Sequence, residues 1–214
     1  MALPTPTVTG IYNRALALLG SVDRSVNVDD TKPWTDTLNE LWPDAVRDLH
    51  AEHPWNHAIR RATLNLKEQN VDGYLYSLPA DCVRWLPPAR DSMAYFRGAQ
   101  EGRFLLTDSD TPPRIRYVTA VENVAEWPPH FITAMGYRLA MDAAEPITQS
   151  SGVVEAMRVK YEGNDGEGGA LAKAKRADGL ATGDRDRGDV SVFSRTLTAA
   201  GTSTVGMSPS SGWG

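Results

Sequence analysis

Titratable side chains crowd one short stretch of this chain: His50, Glu52, His53 and His57. His50 and His53 would share one face of a helix, the spacing at which two imidazoles can hold a metal ion. Pro54 cuts such a helix short, His57 falls beyond it, and neither a cysteine ligand nor an HExxH pattern accompanies them. Helix-end packing therefore stands beside the metal reading. Gly163-Asn-Asp-Gly-Glu-Gly-Gly169 has the glycine content of a phosphate loop. No strand is expected before it and no Gly-Lys-Ser/Thr follows, so it reads as a flexible joint or frayed helix. Gly201-Thr-Ser-Thr-Val-Gly206 is one residue off a nucleophile elbow and has no sheet to strain it.

The remaining candidates have plain explanations. Arg187-Gly188-Asp189 matches a cell-attachment tripeptide by chance in a charged, glycine-rich tail. Arg60-Arg61 and Lys173, Lys175, Arg176 are basic clusters without the interleaved aromatics that single-strand binding prefers, so solvated faces, or contacts with an acidic neighbouring subunit, are expected. Asp108 and Asp110 sit on a turn beside Pro112, where Asp is favoured for backbone reasons. No catalytic residue, metal site or cofactor is expected.

The elements that would position these groups follow from periodicity. Thr9 is placed to cap a first helix over 9–20, with Ile11, Ala15, Leu18 and Leu19 on one stripe and Gly20 at its end. A second helix over 31–53 starts at Thr31 and Pro33 and carries Trp34, Leu38, Leu41, Trp42, Ala45, Val46 and Leu49 at helical spacing. Pro43 should kink it. From 62 to 119 the period is two, in Thr63–Lys67, Tyr74–Leu78, Val83–Leu86 and Arg114–Val118, with turn chemistry between the runs. An antiparallel meander is the expectation. Helices over 129–145 and 151–162 follow, the first with Phe131, Ile132, Met135, Leu139 and Ala143 on one face, and Ala170–Ala177 could form a further short one. The fold class is α+β: a bundle of long helices flanking a small antiparallel sheet, with an extended C-terminal tail.

Composition divides the chain. Its 214 residues are 41% hydrophobic and 23% charged. At that length about 70% of the unfolded surface can be buried. Residues 164–214, however, hold 10 of the 18 glycines and only two of the 17 aromatics. That segment builds no core of its own. The expected organisation is an N-terminal arm over 1–8, a body over 9–161 and a C-terminal docking extension over 162–214. The net charge of -5 belongs entirely to residues 1–163, which disfavours a protein that grips nucleic acid phosphates. Cys82 is the only cysteine, no apolar run is long enough to span a bilayer, and the start lacks a signal-peptide pattern. Synthesis in a reducing cytoplasm and no membrane association are expected.

Four stretches carry a family likeness. Glu52-His-Pro-Trp-Asn-His-Ala-Ile-Arg-Arg-Ala-Thr-Leu64 resembles the junction where the long helix of phage head-to-tail adaptors, including the tail tubular protein A family of short-tailed phages, passes into the first strand. Tyr76-Ser-Leu-Pro-Ala-Asp-Cys-Val-Arg-Trp85 is similar to that family's Leu-Pro-x-Asp turn before an apolar strand. Glu101–Asp108 followed by Ile115–Val118 resembles its paired strands, and Trp127-Pro-Pro-His-Phe131 through Thr148 its helix leading into a polar turn. The likeness covers about residues 9–161. Two places depart from it: His57, where an aromatic more usually follows the Asn, and Gly163–Gly169, where relatives continue a helix.

The resemblance implies a virion structural protein rather than an enzyme. It would be a head-tail connector, a homo-oligomeric ring, commonly dodecameric, that docks on the portal protein, extends the DNA channel and receives the tail nozzle or next connector. Genomic DNA would pass through without specific binding during genome ejection, as suits an acidic ring. Pro54, Trp55, Pro79 and Asp81 are its scaffold motif residues. Ala170 to Gly214 is expected to be disordered in the free protein and to fold along the portal or a neighbouring subunit, with Phe193, Leu197, Trp213 and Arg195 at the interface. The alternatives are a tail-associated hydrolase and a DNA-packaging or DNA-binding accessory protein.

Overall fold

The computed structural model describes residues 5–21, 27–88, 90, 95–164 and 167–181. The chain separates into a unit over Met1–Ala181 and a second over Thr182–Gly214, which lies outside the described residues. Phe193, Arg195, Leu197 and Trp213 therefore lie outside them too, as do the Arg-Gly-Asp tripeptide and the serine-containing glycine segment.

Among the described residues the body has five α-helices: α1 (Val8–Leu18), α2 (Pro33–Glu52), α3 (Pro129–Thr148), α4 (Ser151–Glu162) and α5 (Ala170–Ala181). The cap of α1 is Thr7, not Thr9: its hydroxyl accepts from the Gly10 amide at 3.1 Å. No side-chain cap bond opens α2, whose first turn is set by Pro33. Pro43 lies inside α2 without ending it. Pro43 and Asn39 are both exposed, so water can take the carbonyl that proline leaves without a donor. Proline is tolerated again in α3, which continues through Pro146 to Thr148 and closes on Gln149 in the left-handed region.

The β region pairs entirely antiparallel, but as two sheets rather than one meander. One has the order β1 (Ile59–Thr63), β7 (Arg114–Thr119), β4 (Cys82–Leu86). The other runs β2 (Asn65–Asn70), β3 (Gly73–Ser77), β6 (Phe104–Thr107), β5 (Gly98–Glu101). The alternating run Thr63–Lys67 thus crosses from β1 to β2. The corner is Leu64, buried, its amide donating to Pro113 O at 3.0 Å. Likewise Glu101–Asp108 and Ile115–Val118 do not pair with each other; β6 and β7 belong to different sheets. Period-two alternation reports a strand, not its partner.

Two cores result. Leu64, Tyr76, Leu78, Cys82, Leu105, Ile115 and Tyr117 form the smaller. The larger gathers the helices with Trp55, Val118, Val121, Val124 and Trp127. Strand β7 serves both, because Ile115 and Tyr117 point one way and Val118 the other. In the larger core Trp42 stacks on Trp127 at 5.7 Å and meets Tyr12 edge-on at 5.6 Å.

The principal correction lies at the glycine run. It is not a loose joint. Gly163–Asn164 (β8) pairs with Glu167–Gly168 (β9), folding α5 back onto α3 and α4. The compact unit therefore runs to Ala181 rather than 161; the short helix read at Ala170–Ala177 reaches Ala181 and packs on the body instead of opening a disordered extension. Glycine is needed here for space. A Cβ on Gly169 would lie 2.3 Å from Tyr161 O, and Gly163 has φ +104°. Gly169→Ala is expected to destabilise the body by about 1–3 kcal/mol, read as an earlier urea midpoint, with faster amide exchange in α5 than in α3.

Candidate functional site

All four histidines of the chain converge where the C-terminus of α2, the N-terminus of α3 and α5 meet. Pro54 follows the last residues of α2 and turns the chain so that Trp55 is swallowed completely. The Trp55 indole N–H donates to Leu49 O at 2.6 Å, satisfying a carbonyl of the helix end. A single 3-10 turn, Asn56–Ala58, then leads into β1.

His50 faces inward from α2. Its Nδ1–H donates to Val46 O at 2.7 Å and its Nε2 accepts the Val121 amide at 3.3 Å. Those two partners require the neutral Nδ1–H tautomer. Burial lowers its pKa, against the opposing bond to Val46. His57 lies beside it, 5.5 Å from His50 and 4.6 Å from Phe131 between ring centres. Neither His57 nitrogen is hydrogen-bonded. Burial, aided by neighbouring His50, pushes its pKa down to about 4.

The other two imidazoles meet a carboxylate from α5. His53 Nε2 lies 3.3 Å from one oxygen of Asp178 and His130 Nε2 3.4 Å from the other. The Asn56 amide donates to both oxygens, at 3.3 and 3.2 Å, and the Asn56 side chain donates to Asp178 O at 2.8 Å. Asp178 is 2% exposed. Burial alone would raise its pKa, but the bonds from His53, Asn56 and His130 outweigh it and hold the carboxyl below its ordinary range. Chemically this is a clamp: one carboxylate orients two imidazoles and ties α5 to the ends of α2 and α3.

The metal pair does not form. His50 is engaged with Val46 and Val121 while His53 turns to Asp178. Among the described residues no group of three or more His, Cys, Asp or Glu is arranged to hold a metal ion. A second polar cluster lies nearby on α3, where Arg138 contacts Asp142 at 2.7 Å, Asp48 at 2.9 Å and Glu52 at 3.8 Å. Glu52 also pairs with Lys175 of α5 at 3.1 Å.

The second scaffold motif is also a joint. The Cys82 amide donates to Pro79 O at 3.0 Å, closing the turn that delivers β4. The Tyr117 hydroxyl donates to Asp81 at 3.3 Å. Sequence reasoning missed Arg103, whose guanidinium donates to Pro79 O, Ala80 O and Cys82 O at 2.6, 2.8 and 3.1 Å. It missed Asp178 as well. Asp178 sits in a segment whose composition suggested disorder, and the only available signal was a lone acid after an alanine-rich helical run.

Neither protein-family models nor curated proteins contain a match to this chain. No helix among the described residues is long and apolar enough to cross a membrane.

Acid should loosen this corner. His50 and His57 are held neutral in the fold, so the unfolded chain binds more protons and the stability they contribute is full above pH about 6.5. It is lost as pH falls through the folded value, about 4 for His57. Asp178, depressed, loses its contribution at still lower pH. Urea unfolding from pH 7 to pH 4 should show this decline, and His57→Phe should flatten it by about 1–2 kcal/mol, allowing for solvent screening. Separately, Asp178→Asn is expected to cost about 1–3 kcal/mol at pH 7, with amide protection lost first in α5.

Proposed function

We propose that this protein is a head-to-tail connector of a bacteriophage virion, a ring-forming structural protein that docks on the portal and extends the DNA channel. The observation that carries this reading is the order and spacing of four motifs over residues 9–161. Two supporting facts concern the same residues. Three of the motifs coincide with joints of the body: Pro54-Trp55 where α2 ends, Pro79 and Asp81 where β4 begins, and Trp127-Pro-Pro where α3 starts. The excess of five negative charges falls within residues 1–163, the character wanted of a wall along which DNA must slide without adhering.

In this role the partners are a portal protein, a nozzle or further connector below, and other copies of the chain, twelve in a full ring. The task is mechanical continuity, not catalysis. The segment beyond Ala181, with Phe193, Arg195, Leu197 and Trp213, is the proposed docking element, shortened at its start because Ala170–Ala181 belongs to the body.

Electron microscopy of the purified protein, alone and mixed with a portal protein from the same genome, tests the reading. Rings, or a complex formed only with portal, are expected. A monomer that ignores portal yet retards a DNA duplex in a gel would overturn it in favour of a DNA-binding accessory protein.

A further inference from the structure

A cavity of about 570 Å³ opens between α1, α3, α4 and the start of α5, on the face of α5 next to the Asp178 clamp. Three cations from three different helices line it: Arg14 of α1, Lys160 of α4 and Lys173 of α5. Among the described residues none of the three is in an ion pair, in contrast to their neighbours on the same helices. Arg158 of α4 pairs with Glu155 and Glu162, and Lys175 of α5 pairs with Glu52. All three are exposed, and like charges gathered around one cavity disfavour one another. That arrangement is unfavourable in isolation and favourable around an anion.

The cavity is also built, not incidental. Arg14 lies along α3 over Gly136, where a Cβ would come within 2.8 Å of Arg14 Cδ. Glycine at that position makes the room in which the arginine stem rests, reducing the freedom the side chain would lose on binding. The floor includes His130, already oriented by Asp178, and Tyr137. The glycine run that lacks a phosphate-loop motif in sequence acquires a related setting in three dimensions. Gly163, Gly168 and Gly169 line the cavity as a tight hairpin leading into α5. The amides of the first turn of α5 add partial positive charge of the same sign as the lysines.

We propose that this cavity binds a phosphate-class oxyanion, with Arg14, Lys160 and Lys173 neutralising it. The volume falls in the range of small-ligand pockets, about 300–1,000 Å³, and exceeds a phosphate group alone. The remainder, beside Tyr137 and Val159, accommodates the body to which the phosphate is attached. The site is separate from the connector reading and involves neither portal nor ring.

Isothermal titration of the full chain with inorganic pyrophosphate, and with orthophosphate in a second arm, tests this directly. Saturable binding that weakens as salt rises is expected. Lys160→Gln combined with Lys173→Gln should weaken it at least tenfold; both lysines are exposed, so the fold, checked by circular dichroism, should persist. Arg14→Gln supplies a second variant with a similar effect. Lys67→Gln, at an exposed position on β2, should leave it unchanged. Absence of pyrophosphate binding by the unaltered protein, or binding equal in the double variant, overturns the proposal.

Discussion

A helix packed against by four others is the constraint around which this body is organised. α1, α2, α4 and α5 all pack against α3. Four neighbours can approach one helix closely only if its own side chains are small, and α3 supplies Ala134, Gly136, Ala140, Ala143 and Ala144 among its buried positions. The large groups that fill the remaining space, Phe131, Met135 and Leu139, are fully enclosed. Several polar atoms that such crowding would strand are paired in place, the His57 nitrogens excepted. Arg138 gathers Asp48, Glu52 and Asp142, and Trp127 Nε1 donates to Val121 O at 2.8 Å.

Around that axis the histidine corner acts as a fastening. It is made of contributions too far apart in sequence to be seen together: His53 and Asn56 at one helix end, His130 at another, Asp178 near the end of a third. Neutral His50 and His57 fill the apolar side against Phe131, while the carboxylate meets the two imidazoles on the other. The same residue type therefore meets two different surroundings at one corner: an apolar wall in one case and an acid in the other.

Much of the architecture was legible in the sequence because its signals are local. The helical spacing from Trp34 to Leu49, the Pro-Pro start of α3 and the period-two runs of the β region all depend on neighbours within a turn or a pleat. Trp55 as an anchor and Pro79 with Asp81 as a turn are equally local. What the sequence left unread is long-range. The split of the strands into two sheets depends on Leu64 turning the chain and on which strand β7 meets. The order of α5 depends on a hairpin in which glycine is required for close approach, the opposite of the looseness its composition suggests. Asp178 and Arg103 acquire their roles only from partners many residues away.

The position of Asp178 has a mechanical consequence. It stands near the C-terminal end of α5, while the glycine hairpin holds the other end. Tension applied to the chain beyond Ala181 would reach the carboxylate before anything else. The helix would therefore be loaded as a strip peeled from one end, its contacts failing one after another, rather than sheared all at once. Under peeling the breaking force is set by the first bond in line. Here that bond is a hydrogen-bonded carboxylate whose strength depends on acidity.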